Sequence, residues 1–273
     1  MKKFQLIAAI LLAGFLTYCS DNGTTNPPVD APKTYIPINK GSYWTYLHYN
    51  LDTLNKRTDS FAQDSLVVIR RDTVGTRIIS RMQTSGMTGI SDSSAFYTMA
   101  KDSLFCNNEY LYPGTTNIMG FPIPLPVAGG FSKLASTNPM DTAWKLIDTT
   151  IKGLQIPFNG STATVDGKYT MRMFKSPSVT VNYGENEAKS ALCEDFTTQF
   201  IFSGTATVVY LGLTFPVPLV FTIQVHHYMN SEIGMVRVHT PSISIPITVL
   251  GQTLTKFNFT GSDIVLLRYK AVK

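Results

Sequence analysis

The sequence predicts an all-β protein built on a large antiparallel sheet, an open half-barrel or a sandwich, with few or no helices. Three observations carry this reading. Apolar and polar residues alternate with period two through most of the chain after residue 35, so each strand buries one face and wets the other. The alternating positions hold aromatic and β-branched residues, which fit a pleated surface. Hydrophobic residues make up 44 % and charged residues only 15 %, so a sizeable core is available and Ser, Thr and Asn carry much of the solvation.

The elements follow in order. Trp44, Tyr46 and His48 alternate with Tyr43, Thr45, Leu47 and Tyr49 in a first strand. Ser65–Arg71 and Thr76–Met82 flank Asp72-Thr73-Val74-Gly75, a hairpin signature with its glycine. Ser161–Val165 and Lys168–Phe174 flank Asp166-Gly167, a pair favoured in type I′ turns, and a second hairpin is expected there. Phe196, Thr198, Phe200 and Phe202 share one strand face, as do Leu219, Phe221, Ile223 and Val225. Ile243–Val249 turns at Leu250-Gly251-Gln252 into Thr253–Phe259, and Ile264–Tyr269 is the last strand. Glu187–Phe196 is a weak helix candidate, because Ala188, Ala191 and Leu192 could share a face, or it begins the next strand. Residues 35–273 then form one domain of about twelve to fifteen strands.

Two proline ribbons stand apart. Phe121–Pro126 and Phe215–Leu219 carry prolines at alternate positions, which cannot donate ladder hydrogen bonds and so sit at sheet edges or in extended loops. They are expected to lie near each other, with Phe121 and Phe215 either closing one end of the sheet or forming the rim of an apolar pocket.

The N-terminus supplies an address. Lys2 and Lys3 precede the apolar run Leu6–Leu16, which is too short to span a bilayer core of roughly 30 Å. Leu16-Thr17-Tyr18-Cys19 follows, then the polar, turn-rich stretch Ser20–Pro28. This order resembles a bacterial lipoprotein signal peptide, with Tyr18 in place of the small residue usual there. The resemblance implies cleavage before Cys19, acylation of Cys19, and anchoring in the bacterial outer membrane, since Ser20 rather than Asp follows the cysteine. Residues 1–18 are then signal and 19–34 a flexible tether without hydrophobic periodicity. Several acyl chains suffice for firm anchoring, at about 0.8 kcal/mol per buried methylene.

Tyr35-Ile36-Pro37-Ile38-Asn39-Lys40-Gly41-Ser42-Tyr43-Trp44-Thr45-Tyr46 resembles the start of the folded domain in a group of Bacteroidota-like outer-membrane lipoproteins. Glu232-Ile233-Gly234-Met235-Val236-Arg237 resembles a second element of that group. The resemblance implies a β-rich envelope domain, in some relatives like the half-barrel of lipoprotein carriers, and no known activity. From the residues alone, Gly41 supplies a turn and Trp44 and Tyr46 plug the core. Asp followed by Ser or Thr recurs, as at Asp52-Thr53, Asp64-Ser65 and Asp141-Thr142. This resembles an O-glycosylation site of exported proteins from such bacteria, and is equally ordinary chemistry where a turn enters a strand.

Composition and motifs exclude several classes. The formal charge of +5 includes Lys2 and Lys3 and is scattered, so nucleic-acid binding is not expected. Gly-x-Ser-x-Gly, His-Glu-x-x-His, phosphate-loop and dinucleotide motifs do not occur. Neither a cofactor nor a metal is expected: adjacent His226 and His227 point to opposite strand faces, although His48, one of that pair and His239 could meet across strands. Glu194 and Asp195 read as a solvated strand start. Cys106 and Cys193 could pair in an oxidising envelope, or serve as buried thiols. The reading is a lipid-anchored envelope protein with a binding or structural role, its partners the membrane and an apolar ligand or envelope protein. The alternatives are a half-barrel carrier or chaperone for acylated or apolar ligands, and a hydrolase or glycan-processing enzyme with a dispersed site.

Overall fold

The computed structural model describes Tyr35 and residues 39–74, 77–85, 91–99, 103–107, 117–118, 121–122, 131–158, 161–210 and 212–272. The expected signal, Cys19 and the tether lie outside these residues, as do Gly75 and residues 123–126 of the first proline ribbon. The strands are β1 (Tyr43–Leu51), β2 (Arg57–Val74), β3 (Arg77–Ser85), β4 (Ser91–Met99) and β5 (Ser103–Asn107). Among the described residues, the short β6 (Asn117–Ile118) and β7 (Phe121–Pro122) pair only with each other. Next come β8 (Phe131–Ser136), β9 (Ala143–Phe158), β10 (Ser161–Tyr183), β11 (Lys189–Tyr210) and β12 (Leu213–Asn230). The chain ends with β13 (Gly234–Thr240), β14 (Ile243–Val249), β15 (Gln252–Phe259) and β16 (Ser262–Lys270).

Twelve of these strands form one antiparallel sheet in the order β8-β5-β4-β3-β2-β1-β16-β13-β12-β11-β10-β9. It consists of two meanders, one from each half of the chain, whose ladders are joined by the last strand. β16 pairs with β1 on one side and with β13 on the other. β8 and β9 are the two edges. They are tied by a side chain rather than by a ladder: Trp144 Nε1 donates to Lys133 O at 2.9 Å, and Lys133 Nζ stands 4.7 Å over the same ring. The sheet is thus curled without closing into a barrel, and it is antiparallel, as the alternation predicts.

Two apolar clusters fill it. The first gathers Trp44, Tyr46, Leu66, Met82, Leu134, Phe196 and Val236 from both meanders. Trp44 is 1 % exposed and its Nε1 donates to Ile233 O at 2.6 Å. Tyr46 donates its hydroxyl to Met235 O at 3.1 Å. Gly234 has φ +99°, and a Cβ there would lie 3.1 Å from Trp44 Nε1. Trp44 and Gly234, 190 positions apart in the sequence, therefore fit one another.

The second cluster lies along the extended ends of β9 to β12, with Ile156, Val165, Tyr169, Phe202, Val208, Leu219 and Ile223 on one face. The β14–β15 hairpin supplies Ile247, Val249 and Phe259 to the same cluster. Its turn is at Leu250 (φ 50°) and Gly251 (φ 79°), both left-handed as a type I′ turn requires.

The expected Asp166-Gly167 hairpin does not form. β10 runs unbroken through both residues, and Gly167 pairs with Gly204. A Cβ on Gly167 would come within 2.6 Å of the Phe202 ring, and one on Gly204 within 2.2 Å of Asp166 O. The glycines serve close backbone approach under Phe202, not a turn. Asp166 Oδ1 accepts the Gly153 N–H at 2.7 Å, where the pairing of β9 with β10 slips. Glu187–Phe196 is likewise not a helix: a short 3-10 turn at Glu185–Glu187 leads straight into β11.

Trp44→Ala is expected to destabilise the fold by about 3–5 kcal/mol in denaturant unfolding, the cost of deleting a large buried aromatic. Gly204→Val should cost at least about 1–3 kcal/mol by overpacking, while Gly212→Val, at a site where a Cβ meets nothing within 4 Å, should cost less despite its positive φ.

Candidate functional site

The alternation that builds the core also collects polar side chains on the opposite face. Phe196, Thr198, Val225 and His227 face one way, and Asp195, Thr197, His226 and Tyr228 face the other across β11 and β12. β13 and β16 add Arg237, His239 and Asp263 to that second face. The end of the β10–β11 hairpin bends back onto β16: Gly184 N–H donates to Leu266 O at 2.7 Å, and the Tyr183 and Tyr269 rings lie 6.4 Å apart.

Asp263 is the centre of this face, with 0 % of its surface exposed. Arg237 grips it through Nε and a terminal nitrogen, both at 2.6 Å. Arg57 Nε donates to the same carboxylate, and Arg57 also pairs with Glu187 in the 3-10 turn while covering the Tyr49 ring at 4.9 Å. Burial, the largest single influence, would raise the Asp263 pKa. The neighbouring His239, Arg237 and Arg57 together outweigh it and hold the carboxyl well below the usual range.

A second carboxylate lies three strands away. Asp195, 6 % exposed, accepts the His226 Nδ1–H at 2.8 Å through Oδ2 and the Thr197 hydroxyl at 3.1 Å through Oδ1. His226 stacks on Tyr228 with ring centroids 5.9 Å apart. His226 and His239 are direct cross-strand partners with centroids 6.5 Å apart. His239 Nδ1 approaches Asp263 Oδ1 at 3.6 Å, too long for a hydrogen bond, and is buried without a hydrogen-bond partner. On the core face, His227 lies 3.1 Å from Thr198 Oγ1. Burial lowers its pKa to about 4, with Asp195 opposing and His226 adding to the shift.

Beside Arg57 opens a cleft of about 660 Å³ between the 3-10 turn and the sheet, lined by Leu47, Tyr49, Asn186, Val265 and Arg268 among others. Gly184 (φ 84°), Asn186 (φ 51°) and Glu187 (φ 53°) all hold left-handed backbone along its lip.

The residues singled out in the sequence are distributed differently. Cys106 and Cys193 are free, buried thiols, so no bridge joins them; burial pushes Cys193 up to about 12 and Cys106 well above the ordinary thiol value. Phe215 packs part-buried against the second cluster in β12, whereas Phe121 belongs to the separate β6–β7 pair. The edge expectation holds for Pro216 and Pro218, which pair with β11 on one side while β13 pairs only from His226 onward. His48 pairs with Asp64 at 3.0 Å, away from the other histidines. Glu194 and Asp195 are not solvated: Glu194 meets Lys175 at 3.0 Å and accepts the Tyr35 hydroxyl. Sequence reading missed the Asp263 and Asp195 clusters. Asp263 offered one signal, an acid placed beside the apolar run of the last strand.

No family model matches the chain, and no curated protein matches it. Two crystal structures are similar in fold, each covering 87 % of this chain and 99 % of its own. One is a candidate lipoprotein from Parabacteroides distasonis, 12 % identical with a TM-score of 0.47. The other is a candidate exported protein with a YmcC-like fold from Bacteroides fragilis, 12 % identical with a TM-score of 0.42.

Two pH windows follow. From about pH 6.5, the ordinary histidine value, down to about 4, the unfolded chain protonates His227 while the folded chain does not, so stability falls with pH. Below about pH 4, the ordinary carboxyl value, the depressed Asp263 pKa removes further stability in the same direction. Denaturant unfolding from pH 8 to pH 2 should show both, with His227→Gln flattening the upper window only. Asp263→Asn should flatten the lower window and cost about 3–5 kcal/mol at pH 7, because it leaves the part-buried Arg57 and Arg237 undercompensated.

Proposed function

We propose that this protein is a lipid-anchored component of the bacterial outer membrane with a binding or structural role and no catalysis of its own. The anchor rests on the Lys2-Lys3, Leu6–Leu16 and Cys19 order in the sequence. The observation that carries the role is that, among the described residues, two apolar clusters close the inside of the curled sheet. Trp44, Phe196, Tyr169 and Phe202, from both clusters, are each at most 1 % exposed. A partner therefore meets the edges, the polar face or the cleft at Gly184–Glu187, rather than an internal cavity.

The carrier alternative calls for an open apolar concavity, whereas the cleft sets Glu185, Glu187 and Arg268 beside Leu47, Tyr49 and Val265. The enzyme alternative finds its nearest geometry in Asp195, His226 and Thr197. There both oxygens address the same nitrogen, Nδ1. A nucleophile relay needs the carboxylate on one ring nitrogen and the hydroxyl on the other, so Thr197 is not activated in this arrangement.

Two measurements test the reading. Cys19→Ala should abolish acylation and move the protein out of the membrane fraction; full partition of a processed variant into membranes would refute the anchor. A fluorescent fatty-acyl probe should show no saturable binding, and displaceable one-to-one binding would favour the carrier.

A further inference from the structure

We propose that His226 and His239 form a binding site for a divalent transition-metal ion of borderline softness, with Cu²⁺ held most tightly. The two residues are directly opposed on neighbouring antiparallel strands, and their rings lie 6.5 Å apart on one face of the sheet. The strand order β11-β12-β13-β16 puts a carboxylate outside each of them. Asp195 on β11 holds His226 Nδ1, and Asp263 on β16 stands next to His239 Nδ1. Each Nδ1 thus faces its own outer carboxylate, which leaves Nε2, roughly opposite on each imidazole, for a metal in the gap between the rings.

A carboxylate on the far nitrogen is how metal-binding histidines are oriented and made more basic. Metal–nitrogen bonds of about 2.0–2.1 Å with a bent angle need the rings closer by roughly 1 Å, a modest movement for side chains about one quarter exposed. The His239 Nδ1 is buried without a hydrogen-bond partner, and a metal on Nε2 fixes the proton on Nδ1, the nitrogen that faces Asp263. Asp195, Asp263 and Glu187 outnumber Arg57 and Arg237 by one charge, so the surroundings favour a cation. No third ligating side chain joins the pair among the described residues, which leaves the remaining positions to water. Two imidazoles with water suit copper, zinc and nickel, with copper first in the general affinity order.

The test uses the full acylated chain in detergent, titrated with Cu²⁺ at pH 7.5 and followed by calorimetry and electron paramagnetic resonance. One equivalent should bind with two imidazole nitrogens in the spectrum. His226→Gln and His239→Gln should each weaken binding at least tenfold, and His48→Gln should leave it unchanged. Absence of stoichiometric binding, or binding that survives both glutamine variants, overturns the proposal. Should a variant fail to fold, the wild-type spectrum decides: fewer than two imidazole nitrogens refutes the site.

Discussion

The buried carboxylate of Asp263 is the interaction on which the rest of the structure depends. The sheet is two meanders, and β16 joins their ladders. At its start Asp263 holds Arg57 from the N-terminal meander and Arg237 from the C-terminal one. Arg57 then reaches Glu187, which fastens the bent end of the β10–β11 hairpin. One side chain thus fixes three parts of the chain far apart in sequence. An apolar residue at that position could bury equal area, but it could not orient two guanidinium groups. The charges tie a strand of each meander to one carboxylate on the strand between them.

The same arrangement separates the two faces chemically. Phe196, Phe200 and Phe202 close the interior, while Asp195, Thr197, His226, Arg237 and His239 are set in a fixed network on the other side. The polar face, the edges and the Gly184–Glu187 cleft are the surfaces that the proposed binding role would use. The left-handed backbone at Gly184, Asn186 and Glu187 is held there by the Arg57 ion pair and the Gly184 hydrogen bond to Leu266.

Glycine was the residue whose meaning the sequence concealed. Asp166-Gly167 has the composition of a turn, yet its glycine exists so that β10 can pass Gly204 beneath Phe202. Leu250-Gly251 has a poorer turn composition and forms a left-handed turn. Local chemistry identifies a position that cannot tolerate a side chain, and whether φ or a neighbouring backbone imposes this depends on the partner strand. Glu194 and Asp195 show the same limit. Adjacent acids look solvated until Lys175, Tyr35 and His226 arrive from other elements.

By itself the sequence determined the all-β class, the strand faces, the edge position of Pro216 and Pro218, and the core role of Trp44 and Tyr46. These follow from period-two alternation, a missing amide hydrogen and aromatic bulk, all properties of a few neighbouring residues. The tertiary structure alone decided that β16 would join the two meanders and that Cys106 and Cys193 would be separate buried thiols. It alone opposed His226 to His239 and gathered Arg57, Glu187, Arg237 and Asp263. Those pairings span up to 206 positions, and nothing local encodes which distant strand completes a charge or covers a ring.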